Sequence, residues 1–517
     1  MLDLLIRGGR LVDGTGNPWR YGDVAVQGGR IIDLGHLAGA QARRVIDAAG
    51  LVVAPGFIDA HCHSEMALLA NPRHEHRVRQ GITSELLGQD GISYAPISPR
   101  NRAYWREYMV GLYGPTPEPW DWSTIAEYLA RYDGQVATNV AYLLPHGVIR
   151  YEVMGNAQRP PTADELRAMQ ALVAQGMAEG AVGLSTGLYY EPAIWADVAE
   201  MAALCEPVAE AGGAFVAHMR GYMETAAAAL EECLEVGRRS GAAVHISHFN
   251  VNPETILPLV DRARDEGIAF TYDLYPYRAG STILSPPLGA WLGAGGVEAS
   301  LARLRTREAR ERLRDILEQD GKPRPAWEAF VISGVNRPEN RCYEGLSLPQ
   351  AAELAGQSLT DFVVELLLAE RMAVTIIGHQ NHRDEEQVAA LMRHPCQMFG
   401  SDAVPVGGKP HPRGHGTYPR ILGHYVRERK VLTLEEAVRK MTSLPAQHIG
   451  LRDRGLLARG MAADVVCFDA ERVIDRATYE EGTRMSEGIV HVLVNGQLVL
   501  DTEVHTGALP GRALRRA

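Results

Sequence analysis

Apolar runs alternate with helix-patterned stretches through the middle of the chain at a spacing of about 30 residues, and this rhythm constrains the fold more than any other feature. Thr162 and Glu165 form a capping-box pair, and Leu166, Met169, Val173 and Met177 follow at helical spacing up to Gly180. The strand-like run Ala181-Val182-Gly183-Leu184-Ser185 comes directly after. A helix over 196–211 leads to Ala214-Phe215-Val216-Ala217-His218, and one over 224–239 leads to the run 242–248. A third, over 254–266, leads to Ile268-Ala269-Phe270-Thr271-Tyr272-Asp273. Such units lay successive strands parallel, and eight of them close a TIM (β/α)8 barrel. Nine runs qualify as strands, Val374-Thr375-Ile376-Ile377 among them, so one lies outside the barrel. Residues 285–355, polar and helical in pattern, read as an insertion after the seventh strand.

The two ends differ from the middle. Residues 1–55 and 456–517 are short β-patterned runs broken at Gly8-Gly9, Gly28-Gly29 and Asn495-Gly496, the last a strong hairpin signal. They are predicted to form one small β-sandwich domain around a barrel over 56–455.

The same feature that ends the first barrel strand starts the chemistry. In Pro55-Gly56-Phe57-Ile58-Asp59-Ala60-His61-Cys62-His63 the two histidines are two apart, so both imidazoles face one side. Cys62 faces the other side and reads as a small core residue. His218 and His248 each end an apolar run, at the barrel rim where active sites are built. Asp402 follows Cys396-Gln397-Met398-Phe399-Gly400-Ser401, and Asp90 sits in Gly88-Gln89-Asp90-Gly91. Either late histidine alone is as readily an interior side chain. Together, four imidazoles and two carboxylates suit zinc or a neighbouring divalent ion, which both ligand types bind at about 2.0–2.2 Å. His245, three positions before His248, is assigned to packing.

Composition narrows the partners. Lys+Arg number 52 against 63 Asp+Glu, a net charge of −11 without a basic block, which argues against nucleic acid and anionic membranes. No apolar run reaches the ~18 residues of a membrane helix, and the first residues lack a signal-peptide pattern. The six cysteines show no paired spacing, so reduced thiols and a cytoplasmic protein are expected. A homo-oligomer is left open.

The whole chain resembles the amidohydrolase superfamily, and within it the N-acyl-D-amino-acid deacylases, or D-aminoacylases. The resemblance is carried by Gly56-Phe57-Ile58-Asp59-Ala60-His61-Cys62-His63, Gly183-Leu184-Ser185-Thr186-Gly187-Leu188-Tyr189-Tyr190 and His245-Ile246-Ser247-His248. Tyr275-Pro276-Tyr277-Arg278-Ala279-Gly280-Ser281-Thr282, Gly400-Ser401-Asp402 and His411-Pro412-Arg413-Gly414 add to it. It implies one metal held weakly by His61 and His63, a tighter one held by His218 and His248, and Asp402 as catalytic acid/base and metal ligand. Two departures matter. Relatives carry Cys where this chain has Asp90, a harder ligand that relaxes zinc selectivity toward manganese or cobalt. Relatives also carry a substrate-holding Lys where this chain has Asn250, leaving Arg220, Arg278 or Arg413 to supply the charge. Tyr189, Tyr190 and Tyr275 are candidates to hydrogen-bond the substrate.

The expected reaction is deacylation of an N-acyl (D-)amino acid or related N-acyl amine by metal-activated hydroxide, with Asp402 moving the proton. The alternatives are a dipeptidase, a mononuclear deaminase, an inert metal scaffold, or a cyclic-amide hydrolase of the dihydroorotase or hydantoinase kind. The last usually carries a carboxylated lysine on the fourth strand, and Ala181 to Leu188 contains no lysine. The segment Lys409 to Arg420 is expected to act as a lid.

Overall fold

The barrel rhythm is realised by eight parallel strands. They are β1 (Phe57–Asp59), β2 (Ile82–Leu87), β3 (Asn139–Pro145), β4 (Gly183–Gly187), β5 (Ala214–His218), β6 (Ala243–Ile246), β7 (Phe270–Leu274) and β8 (Gln397–Phe399). The structure, a computed structural model, describes residues 1–116, 119–318, 327–379 and 384–516. Neighbouring strands pair in parallel from β1 through to β8. The helices Ala163–Ala178, Val198–Glu210, Ala226–Ser240 and Pro253–Asp265 fall where the sequence places them. Three of the four starts are fixed locally: Thr162, Asp197 and Asn252 each accept a hydrogen bond from a first-turn backbone N–H.

The floor of the barrel is closed by the chain's last residues. Leu514 packs with Ile58, Leu86, Leu143 and Val216, all buried. Backbone bonds from Val140 N to Arg512 O (3.0 Å) and from Leu514 N to Val140 O (2.7 Å) tie this tail to β3.

Both termini build one nine-stranded sheet. Its central strand, Leu2–Leu11, pairs with Arg20–Gln27 on one edge. On the other edge it pairs first with Ala42–Asp47 and then with Val52–Pro55. The change of partner coincides with a register break between Ile6 and Gly9, where Gly8 has φ 74° and a Cβ on Gly9 would meet Val53 at 2.4 Å. Only glycine permits that bend. Val52–Pro55 then pairs with Val465–Phe468, which joins the C-terminal strands Ile489–Val494 and Gln497–Asp501. The core between them holds Ile6, Val24, Val53, Val465 and Leu493.

The insertion between β7 and β8 corrects the sequence reading. It is longer than 285–355 and carries its own antiparallel sheet of Ala279–Ile283, Phe330–Gly334 and Thr375–His379. The ninth strand candidate, 374–377, lies in this sheet and outside the barrel. Helices Val297–Leu304, Arg307–Leu317, Leu348–Ala355 and Leu359–Ala369 pack on it around a separate core that includes Leu301, Leu313, Phe362 and Ile376. Among the described residues no helix is long and apolar enough to cross a membrane.

Candidate metal centre

Six side chains from four strand ends and one turn meet above the barrel. Asp90 Oδ1 lies 3.8 Å from His61 Nε2 and 3.7 Å from His248 Nε2. Its Oδ2 lies 3.6 Å from both His63 Nε2 and His218 Nδ1. Asp402 Oδ1 is 3.6 Å from His61 Nε2 and 3.4 Å from His63 Nε2. All six residues are buried. Two ligand atoms about 2.1 Å from one ion at a tetrahedral angle stand about 3.4 Å apart, so these separations are those of donors around a cation. His61, His63 and Asp402 form one such group, and His61, Asp90 and His248 an overlapping one. Each Asp90 oxygen faces one histidine of the His61/His63 pair and one of the His218/His248 pair, so the carboxylate could serve ions at either pair.

The backbone is bent to make this meeting. Asp90, His248 and Asp402 have φ values of 57°, 35° and 49°, in the left-handed region that costs a non-glycine residue about 1–3 kcal/mol. The turn carrying Asp90 is wedged between β3 and β4. A Cβ on Gly88 would lie 2.2 Å from Leu143 O, and one on Gly187 2.3 Å from Asp90 O. Glu65 accepts from Gly88 N (3.0 Å) and Ser185 bonds Gly88 O and Gly91 N, which fixes the turn.

The donor set fits a cation on electrostatic grounds too. His61 Nε2, Asp90 Oδ1 and His218 Nδ1 are buried without a hydrogen-bond partner, and one or two zinc ions among them would satisfy all three. Burial pushes the Asp90 carboxyl up, but the imidazoles of His218, His248 and His61 outweigh it and hold the group well below the usual carboxylate range. Asp402 is likewise lowered against its burial, by Arg413 first and then by His63 and His61. His218 is lowered by burial and by His248. His61 is raised despite burial because Asp273, Asp402 and Asp90 surround it, so a positive charge is favoured where a metal ion would sit. The centre opens on a cleft of about 880 Å³ whose apolar lining includes Leu112, Phe330, Ile376 and Val404.

Residues 44–500 match the amidohydrolase family. The chain belongs to that family. An N-acyl-D-glutamate deacylase of Alcaligenes xylosoxydans xylosoxydans is 38% identical over 524 residues, covering 100% of this chain and 97% of that protein. A D-aminoacylase of the same organism is 35% identical, covering 99% and 98%. Among solved structures, N-acyl-D-glutamate deacylase from Bordetella bronchiseptica, complexed with zinc and a phosphonate mimic of the tetrahedral intermediate, superposes with a TM-score of 0.85. It is 35% identical and covers 99% of both chains. This amidohydrolase is therefore a metal-dependent hydrolase of amide C–N bonds.

Around the amidohydrolase centre, a second layer of side chains sets the imidazoles. Asp273, at the end of β7, accepts from His61 Nδ1 (3.3 Å), His245 Nε2 (2.9 Å) and the His248 backbone N–H (2.9 Å). Its bond to His61 turns Nε2 toward the centre. Tyr113 donates to Ile92 O at 2.7 Å, so its oxygen accepts from His63 Nδ1 at 3.3 Å and leaves His63 Nε2 free to ligate. Sequence reasoning missed Asp273, although it ends an apolar run as Asp402 does. It also set His245 aside as packing. That reading is corrected: β6 ends at Ile246, so the chain turns before His248 and the strand alternation no longer separates the two histidines.

The proposed substrate residues divide. Tyr189, Tyr190, Arg220, Asn250 and Tyr275 line the cleft. Arg220 spends its charge on Glu232 (2.9 Å) and donates to Ile194 O and Ala196 O, so it is a fixed wall residue. Tyr189 donates to Pro286 O (3.0 Å), and the Tyr190 hydroxyl lies 3.5 Å from Thr282 Oγ1. Asn250 keeps a buried Oδ1 without a partner. Arg278 is exposed and outside the cleft lining. Arg413 is wholly buried, pairs with Asp402 Oδ2 at 2.8 Å and stacks over Tyr275 at 4.6 Å. The expected lid over 409–420 is corrected as well. Arg413–Arg420 is a helix, and His411 before it is buried and donates to Ala279 O. Its glycines permit close packing here, since a Cβ on Gly416 would meet Asp475 and Tyr277 at 2.7 Å.

Proposed function

We propose that this amidohydrolase deacylates N-acyl-D-amino acids or related N-acyl amines, with zinc at His61, His63, Asp90, His218, His248 and Asp402. The observation that carries the reading is the division of Asp402. One oxygen is fixed by Arg413 at 2.8 Å and the other faces the His61 and His63 imidazoles at the base of the cleft. A bound divalent metal lowers the pKa of water toward neutrality and polarises a carbonyl. Arg413 keeps Asp402 ionised, so Oδ1 can take the proton of the attacking water and return it to the leaving nitrogen. Pairing through Oδ2 leaves Oδ1 no other direction to face.

The amine side follows from the cleft's charge. Among the described residues lining it, Arg220 is the sole Lys or Arg, and it is already paired. Asn250 offers an amide where relatives offer a cation, so the reading extends to N-acyl amines without a carboxylate. The relatives act, by name, on N-acyl-D-glutamate and N-acyl-D-aspartate. Against cyclic amides stands β4, Gly-Leu-Ser-Thr-Gly, which has no lysine to carboxylate. The six cysteines, all free, support a reducing compartment such as the cytoplasm.

The test is a panel of N-acyl-D-amino acids, their L counterparts, carboxylate-free N-acyl amines and cyclic amides, run on zinc-loaded protein. Turnover of linear N-acyl compounds with preference for D over L is expected. Hydrolysis confined to cyclic amides would overturn the reading.

A further inference from the structure

The seam of the barrel runs through the centre itself. β1 leads to His61 and His63, β8 leads to Asp402, and these two strands share no ladder. Beyond β1, three backbone bonds join the strands: Ala60 N to Phe399 O (3.2 Å), Asp402 N to His61 O (2.7 Å) and His63 N to Ala403 O (3.0 Å). The Tyr418 hydroxyl adds a bridge, 2.9 Å from Ile58 O and 3.1 Å from Phe399 O.

A buried polar cluster holds the same seam just below the donors. Asp59, the last residue of β1, accepts through Oδ1 from Ser401 N (2.8 Å) and His61 N (3.3 Å). Its Oδ2 accepts from Ser401 Oγ (2.6 Å) and from Arg77 Nη2. Arg77 also donates Nη1 to Ser401 Oγ (3.1 Å) and Nε to Glu85 Oε2 (3.2 Å) on β2. Ser401 Oγ in turn accepts from Ala403 N (3.2 Å). The side chains of Asp59, Arg77 and Glu85 have no exposure at all.

Stability alone does not explain such a cluster. Apolar packing of similar volume usually stabilises as much as a buried ion pair, because desolvation offsets the attraction. Directional bonds give what apolar packing cannot, a fixed register. The backbone N–H groups of His61, Ser401 and Ala403 flank the two segments whose spacing sets the Asp402 to histidine distances. We propose that Asp59, Arg77 and Ser401 are positioning residues that clasp β1 to β8 and hold Asp402 at its working distance from His61 and His63. They act through the backbone, and the inference rests on the metal-centre reading above.

The experiment compares Ser401→Ala and Arg77→Lys with the wild type in zinc- and cobalt-loaded forms. Ser401→Ala removes the hydroxyl at the middle of the clasp and leaves both charges paired, so it is chosen to fold. Arg77→Lys keeps the charge and loses the planar fork that serves three acceptors. A fall of about 10–100-fold in kcat with KM within about threefold is expected for both, since small misplacements of reacting groups cost this much. The visible absorption of bound cobalt should shift and cobalt affinity should fall by about tenfold or more. Folded variants with wild-type kcat and an unchanged cobalt spectrum would overturn the proposal, even if their Tm were lower. If the wild type binds cobalt but cleaves no linear N-acyl compound, the deacylase reading fails, and the cobalt spectrum still decides the clasp.

Discussion

Asp402 and Asp90 carry the sharpest expectations at the scale of single side chains. Asp402→Asn keeps the shape and the Arg413 neighbour but cannot accept the proton, so kcat should fall by about 10²–10⁴-fold. The variant should remain folded and metal-bearing by elemental analysis, and near-wild-type turnover would refute the assignment. Asp90→Ala removes the carboxylate that faces both histidine pairs and should cost metal stoichiometry together with activity. A mononuclear deaminase would tolerate it. Glu85 gives a pH dependence. Burial raises its pKa, yet His74 and Arg77 outweigh burial and hold it well below the usual range. A carboxyl lowered on folding contributes stability that is present above its unfolded value, about 4.3, and is lost as pH falls through the folded value. The temperature of thermal unfolding should therefore fall below about pH 4. Glu85→Gln should start lower at pH 7 and lose less on acidification, and parallel curves would refute this. The histidines and Asp402 were legible in the sequence because each ends an apolar run. Asp273 ends such a run too, but its bonds to His61 and His245, and the pairing of Arg413 with Asp402, were not legible, since both depend on which strands become neighbours.

Among the elements, the turn Gly88-Gln89-Asp90-Gly91 is the most demanding. Gly88 has φ 81° and its missing Cβ leaves room for Leu143 O, so two independent constraints require glycine. Gly88→Ala should displace Asp90 and lower metal affinity measured by chelator competition, while the far-UV circular dichroism stays that of the wild type. Unchanged affinity would show that the turn can relax. The strand at Thr375–His379 shows why elements can be recognised in sequence but not assigned. Its apolar pattern is that of a barrel strand, and antiparallel pairing with Ala279–Ile283 and Phe330–Gly334 alone places it in the insertion. The segment 409–420 misled in the opposite sense. Its Gly, Pro and His content suggested a loop, but Pro412 precedes a first helical turn, where proline costs nothing.

For the whole molecule, the repeating strand–helix spacing was enough to name the barrel, and the β texture at both ends was enough to join the termini. The bounds of the insertion escaped because polar helices give no sign of where a separate core begins. The barrel floor yields a further prediction. Leu514 fills it from the far end of the chain, so Leu514→Ala should cost about 2–4 kcal/mol and lower Tm by several degrees. Zinc content should be unaffected, since the floor lies at the opposite end from the donors. A Tm equal to the wild type's would show the tail to be dispensable.

The insertion has a core of its own, yet Phe330 and Ile376 from its sheet form part of the cleft's apolar side, above donors held by the barrel. Part of the cleft wall and the metal donors thus rest on separately packed foundations. Substitutions that reshape this wall should therefore leave the packing beneath the donors intact.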